Sequence, residues 1–152
     1  MNFWQQIFIL TYALFSFLGF LIGFYKSKYK KSAFGFTRPL LFMGVFVWGD
    51  AVVFGLFWAI SSTITWFLKD WYLFLLIVSV FWVVRSLGET IYWFNQQFST
   101  INRNPIKNLP LHTIFHNDSV WFIHQTIWQC ITIVSVIFSI YFASLWLKGF
   151  GS

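Results

Sequence analysis

The stretch from Trp71 to Phe98 constrains the fold of this chain more than any other segment. It is apolar over a length that can cross a bilayer, which needs about 20 residues in a helix. Its second half nevertheless carries two opposite charges, Arg85 and Glu89, four residues apart. This spacing places both charges on one face of a helix. A charge in hydrocarbon costs about 3 kcal/mol or more, so we expect this face to contact protein and not lipid.

The composition excludes an ordinary water-soluble domain. Apolar residues make up 59% of the 152 residues and charged residues only 9%, whereas about 25% of a typical soluble domain is charged. The chain also carries 22 Phe and 10 Trp, which is more apolar surface than a soluble fold of this length can hide. The sequence therefore predicts an all-α integral membrane protein.

Hydropathy and turn residues divide the chain into four spans. We predict that they form an antiparallel four-transmembrane-helix bundle and a single transmembrane domain over residues 1–152. The predicted spans are residues 3–25, 40–68, 71–98 and 119–147. Two basic loops, over residues 26–38 and 99–118, alternate with a tight turn at Lys69 and Asp70.

Small residues at four-residue steps mark helix faces that another helix can approach closely. The first span carries Gly19 and Gly23 at this spacing, although such pairs are common by chance in apolar spans. The second span carries a longer ridge, formed by Ala51, Gly55 and Ala59. We expect this ridge to pack against a neighbouring helix.

The distribution of Lys and Arg sets the predicted orientation. The two basic loops hold most of these residues, namely Lys26, Lys28, Lys30, Lys31, Arg38, Arg103 and Lys107. The opposite side holds only Lys69 and Lys148. Since cytoplasmic loops are rich in Lys and Arg, both termini are expected outside the cytoplasm, in a bacterial inner (plasma) membrane.

The net charge of +6 lies mainly in these loops, beside the predicted spans. We interpret it as a topology signal and as a contact with anionic lipid headgroups, and not as a nucleic-acid-binding surface. The residues expected to face the headgroups are Lys26, Lys28, Lys30 and Lys31.

Ionisable side chains from three spans reach a similar predicted depth. At 1.5 Å per residue, Asp50 lies about 15 Å from the preceding loop, near the bilayer centre. Arg85, Glu89 and His124 come to the same inner half of the membrane. We therefore predict a substrate- or ion-binding site formed by Asp50, Arg85, Glu89, His124, Gln125, Gln129, Trp48, Trp82 and Trp128. The structural alternative is that the charges only fix helix register and the amides only join helices.

Within this site, Asp50 is expected to pair with Arg85 from the neighbouring span. The reason is that an unneutralised charge costs most near the bilayer centre. Glu89 would then be the unpaired carboxylate, able to take up a proton or a cation from the inner side. His124 would be a second titratable group at a similar depth.

Signatures of metal and enzyme sites are weak. His112 and His116 have a spacing that could bind a metal together with Asp118, but prolines precede them and no HExxH motif is present. The sequence has no Gly-rich phosphate loop, no GxSxG motif and no CxxC pair, and Cys130 is the single cysteine. We therefore expect no cofactor and no resident metal.

The sequence favours a homo-oligomeric transporter or channel for an ion or small solute that uses the inner-half polar site. Four helices are few for enclosing a pathway, so a second copy is expected to complete it. The main alternative is an accessory or scaffold subunit of a larger membrane complex, whose charges would meet the helices of a partner. A membrane-embedded enzyme or cofactor binder is the third interpretation.

Overall fold

The computed structural model describes residues 1–100, 104–109 and 111–149. Its α-helices are α1 (Phe3–Tyr29), α2 (Trp48–Phe67), α3 (Trp71–Phe98) and α4 (Ser119–Lys148). Short 3-10 helices cover Arg38–Met43 and Ile106–Asn108. All four α-helices are long and apolar enough to cross a membrane. Over the described residues the chain is all-helical, as predicted, with no strand and an isolated β-bridge between Phe36 and Val47.

The helix bounds agree closely with the predicted spans in α3 and α4 and differ from them in α1 and α2. Helix α3 has the predicted bounds, and α4 extends one residue beyond its predicted end. Helix α1 continues to Tyr29, past the predicted end at residue 25. Helix α2 begins at Trp48, although the predicted span began at residue 40.

The backbone at residues 38–47 interrupts the helix before Trp48. Arg38–Met43 forms a 3-10 helix that Gly44 ends in the left-handed conformation, with φ of 72°. A left-handed residue cannot continue an α-helix, and glycine adopts it without a steric penalty. The chain is then extended at Val47, with φ of −128°, before α2 begins.

The described chain divides into two compact units. The first comprises Met1–Ile77 and Leu145–Ser152, and the second comprises Val78–Ser144. Helices α3 and α4 contribute residues to both. The single transmembrane domain expected from the sequence stays a prediction.

In the first unit, α1 and α2 pack closely through glycines. A Cβ atom at Gly55 would lie 2.8 Å from the backbone nitrogen of Phe20, and one at Gly23 would lie 2.7 Å from Cβ of Ala51. These contacts run in opposite sequence directions along the two helices, so α1 and α2 are antiparallel. Two residues of the predicted ridge, Ala51 and Gly55, therefore pack on α1, because small residues permit so close an approach.

In the second unit, the C-terminal half of α3 packs against the N-terminal half of α4. Their apolar contact is centred on Trp93, Leu109 and Val120, each no more than 8% exposed. The segment that joins the two helices covers this cluster with partly buried side chains, namely Ile106, Leu111 and Phe115. Helix α4 contributes Trp121 and Trp128 to the same cluster.

Candidate functional site

The charged residues of α3 form an ion pair within their own helix. Arg85 Nη1 lies 2.9 Å from Glu89 Oε1, and each side chain is only 14% exposed. One turn of helix brings residues four apart onto the same face, so the pair follows directly from the sequence spacing. The pair is neutral as a whole, which lowers the cost of placing both groups in an apolar helix.

The second oxygen of Glu89 connects the ion pair to α4. Trp93 Nε1 donates a hydrogen bond to Glu89 Oε2 at 3.2 Å. The Trp93 ring in turn lies against the imidazole of His124, with ring centroids 4.6 Å apart and planes inclined by 32°. The contacts therefore run continuously from Arg85 through Glu89 and Trp93 to His124.

The hydrogen bond of His124 indicates which ring nitrogen is basic. His124 Nδ1 lies 2.8 Å from the carbonyl oxygen of Val120. A carbonyl oxygen only accepts hydrogen bonds, so Nδ1 carries the proton in this arrangement. In the neutral ring, Nε2 is then the nitrogen that can bind a further proton.

Hydrogen bonds between α3 and α4 flank this row of contacts on both sides. Toward the end of α3, Gln97 Nε2 donates to Gln125 Oε1 at 2.6 Å. Toward its middle, Thr132 Oγ1 donates to Ser86 Oγ at 2.8 Å, and Ser86 is fully buried. The pairs run in opposite sequence directions, which makes α3 and α4 antiparallel in this unit. We call the whole set the α3–α4 polar strip, formed by Arg85, Ser86, Glu89, Trp93, Gln97, His124, Gln125 and Thr132.

The structure brings together four of the predicted site residues, namely Arg85, Glu89, His124 and Gln125. Of the others in the second unit, Trp128 packs on the neighbouring apolar cluster. The backbone carbonyl of Trp82 accepts a hydrogen bond from Ser86 Oγ at 2.5 Å. Gln129 lies on an exposed part of α4.

The expectation that Glu89 is the unpaired carboxylate is wrong. Arg85 pairs with it at 2.9 Å on the same helix. Of the two possible partners, Asp50 and Glu89, the sequence favours Asp50 because an unneutralised charge costs most near the bilayer centre. A partner one turn away is reached without any tertiary contact, so local geometry decides the pairing.

Asp50 lies at a different position in its helix from the one predicted. It lies in the first turn of α2, and its Oδ2 accepts hydrogen bonds from the backbone nitrogens of Phe46 at 3.1 Å and Val47 at 3.3 Å. A carboxylate at a helix N-terminus satisfies free backbone donors and complements the helix dipole. The predicted position of Asp50 ten residues inside a helix is therefore wrong, because α2 begins later than expected.

Trp48 belongs to the same end of α2 in the first unit. The ammonium nitrogen of Lys26 lies 3.8 Å from the centroid of its ring. This is the geometry of a cation–π contact, in which the ring face attracts the positive charge. Trp48 thus joins the end of α1 to the start of α2.

Sequence reasoning missed Trp93 as a site residue. Its signal is the spacing, since Trp93 follows Glu89 by four residues and lies on the same stripe as Arg85. The contact with His124 depends on how α4 packs, which the spacing does not encode.

The weak metal candidates do not form a cluster. His112 Nδ1 lies 2.9 Å from the carbonyl oxygen of Leu109, and His116 and Asp118 are exposed. Within residues 1–100, 104–109 and 111–149, no group of three or more His, Cys, Asp or Glu side chains could hold a metal ion.

Comparison with known proteins finds no match. No protein-family model fits the chain, and neither a curated protein nor a solved structure shows significant similarity to it.

Proposed function

We propose that this chain is an integral protein of a bacterial inner membrane and that its α3–α4 polar strip carries protons or a small cation. The observation that supports this proposal is the row of contacts from Arg85 through Glu89 and Trp93 to His124. Ionisable groups inside membrane helices are rare and commonly mark ion or proton pathways. Two of the four groups, Glu89 and His124, can change protonation state.

The arrangement suggests how a proton would change the strip. Protonation of Glu89 would remove its charge and weaken its contact with Arg85. Protonation of His124 at Nε2 would place a cation against the face of Trp93, where the ring attracts it. Since Trp93 also donates to Glu89, the two titratable groups share one neighbour and influence each other through it.

We further propose that the protein is a homo-oligomer and that α4 lies nearest to the second copy. In the most apolar 18-residue stretch of α4, only 6% of the residues are buried inside the chain, against 28% in the corresponding stretches of α1 and α2. In a membrane this face must contact either lipid or protein. Four helices are few for enclosing a pathway, and closed symmetric oligomers commonly complete such sites.

Reconstitution into vesicles tests the proposed transport. Wild type should give a pH- or cation-dependent flux that Glu89→Gln abolishes, because the amide can neither ionise nor form an ion pair with Arg85. The matched control is Asp118→Asn, which makes the same chemical change at an exposed position and should leave the flux unchanged. Folding of both variants is checked by helical circular dichroism.

The outcome that would contradict the proposal is equally specific. Wild-type vesicles that pass neither protons, common monovalent cations nor amine dyes would rule out transport by this chain. A normal flux in Glu89→Gln would exclude the polar strip as the pathway.

An accessory or scaffold subunit of a larger membrane complex is the second candidate function. The observation that favours it is the ion pair itself, since Arg85 neutralises Glu89 within the same helix. Native mass spectrometry after mild detergent extraction separates the two candidates. A defined homo-oligomer supports transport, whereas a monomer that binds stoichiometrically to other membrane proteins supports the accessory role.

A further inference from the structure

We infer that residues 34–47 form a re-entrant segment whose exposed aromatic rings lie in the acyl chains of the bilayer. In this arrangement the chain leaves the end of α1, turns back into the membrane, and returns to the same side to begin α2. The inference rests on the membrane insertion of α1 and α2 proposed above. It does not depend on the transport activity of the α3–α4 polar strip.

Contacts with α1 show how far the segment turns back along the helix. Leu40 lies 3.6 Å from the position of a Cβ atom at Gly19. Farther along, the ring of Phe42 lies 5.8 Å from that of Phe15 and 6.1 Å from that of Tyr12. Gly23 opposes the first turn of α2, so the tip at Phe42 lies about 12 Å beyond that level, at 1.5 Å per residue.

A contact with α2 gives the same depth independently. The indole nitrogen of Trp58 donates to the carbonyl oxygen of Met43 at 3.0 Å, and both side chains are buried. Trp58 lies in the middle of α2, between Trp48 and Phe67. The turn of the segment therefore lies beside the central part of both helices.

The backbone of the segment satisfies the main requirement for irregular structure inside a bilayer. Such backbone is tolerated only where protein groups satisfy its donors and acceptors. Thr37 receives this support twice, since its nitrogen donates to the Phe46 carbonyl at 2.9 Å and its hydroxyl donates to the Val45 carbonyl at 2.8 Å. The nitrogen of Val45 donates to the Leu40 carbonyl at 3.4 Å. The protein-facing side of the segment is buried at Thr37, Leu40, Met43 and Val45.

Both ends of the segment are held at the start of α2. Asp50 accepts hydrogen bonds from Phe46 and Val47, where the returning chain meets the helix. The nitrogen of Gly49 donates to the carbonyl oxygen of Ala33 at 2.8 Å, where the outgoing chain leaves. The Asp50 carboxylate thus fixes the returning end of the segment to the first turn of α2.

The outer side of the segment indicates what covers it. Phe34, Phe36 and Phe42 are 92%, 61% and 56% exposed, a strongly apolar surface on so short a segment. Such an apolar surface marks an interaction site and not a surface left in water. The neighbouring exposed cations are Lys28, Lys30, Lys31 and Arg38. Their charge complements an anionic leaflet, so we assign the bilayer itself as the occupant of this surface.

Depth measurements with nitroxide spin labels test the inference. Single cysteines are introduced at Phe42 and Phe34 in a Cys130→Ser background, and the labelled proteins are reconstituted in phosphatidylethanolamine–phosphatidylglycerol vesicles. The label at Phe42 should be accessible to oxygen and protected from a water-soluble nickel chelate. The label at Phe34, at the start of the segment, should lie nearer the headgroups and be less protected from the chelate than the label at Phe42. A label at Phe15 is the matched control, because its ring stacks on Phe42 from α1.

The possible results separate this inference from the membrane proposal. A label at Phe42 that matches Phe15 in depth supports the re-entrant segment. If Phe15 is deep but Phe42 is accessible to nickel, the segment is an ordinary surface loop and only this inference is overturned. If the label at Phe15 is also accessible to nickel, both the membrane insertion of α1 and the re-entrant segment are overturned. Leu41→Cys provides a second site at the same turn, should Phe42→Cys fold poorly.

Discussion

Two neighbours on α3 donate to the Glu89 carboxylate, one to each of its oxygens. Arg85 supplies the charge and Trp93 supplies an indole N–H, so both contacts come from residues one turn away on α3. The Trp93 ring connects the carboxylate to His124. The loss of stability at each position should therefore depend on whether the change removes a charged or a neutral donor to Glu89.

Arg85→Ala should lower the free energy of unfolding by about 3 to 5 kcal/mol, because it leaves the Glu89 charge largely buried without its cation. Glu89→Gln in the same chain should recover much of this loss. The measurement is a double-mutant cycle from thermal or denaturant unfolding in detergent. Lys107→Ala, which removes an exposed cation, is the control and should have little effect. A coupling energy near zero would mean that the ion pair contributes nothing to stability.

Trp93→Phe should cost more stability than Trp121→Phe. Both changes remove an indole donor and keep an aromatic ring, but Trp93 donates to a carboxylate and Trp121 donates to the carbonyl oxygen of Asn104. A hydrogen bond to a charged group is worth about 1.5 to 3 kcal/mol, and one between neutral groups about 0.5 to 1.5 kcal/mol. Equal losses in the same unfolding assay would argue against a strong contact between Trp93 and Glu89.

The packing of α1 against α2 depends on a close approach of the two backbones. The ridge recognised from the sequence, Ala51, Gly55 and Ala59, is buried, and its Ala51 and Gly55 contact α1. Apolar side chains gain little from association inside a bilayer, since lipid is equally apolar. The fit of small residues is therefore the main source of stability between membrane helices.

Gly55→Ala should destabilise the α1–α2 pair by about 1 to 3 kcal/mol through overpacking. The added Cβ would lie 2.8 Å from a backbone atom of α1, which cannot move aside as a flexible side chain can. Gly88→Ala is the matched control, since a Cβ there meets nothing within 4 Å. Unfolding in detergent measures both variants. Equal stability of the two would show that α1 and α2 do not approach as closely as described.

The orientation of the chain is a proposal that labelling can test. If both termini are extracytoplasmic, a cysteine at Ser32 or Asn108 should resist a membrane-impermeant maleimide in intact cells, and one at Gly149 should react. Cys130 is replaced by Ser first, because it is exposed in the chain. The reverse labelling pattern would invert the orientation and place the basic loops outside the cytoplasm, against the positive-inside rule.

Much of this fold follows from local properties of the sequence. Hydropathy over about 20 residues identifies four helices, because each window carries enough apolar side chains to cross a bilayer whatever surrounds it. The contact between Arg85 and Glu89 is equally local, since one helical turn is sufficient to form it. The four-residue spacing of Ala51, Gly55 and Ala59 likewise indicates a helix face for close packing. It does not indicate which helix packs there.

Only the tertiary structure decided the path of the chain between α1 and α2 and the connection of the polar strip to His124. Residues 40–47 are as apolar as a membrane helix, so hydropathy cannot distinguish them from the start of α2. The left-handed turn at Gly44 and the hydrogen bond from Trp58 to Met43 separate them from it. The sequence by itself thus determined which segments are apolar enough to cross a membrane. Contacts between residues distant in sequence decided which of them form helix, since those contacts satisfy the backbone where the helix is interrupted.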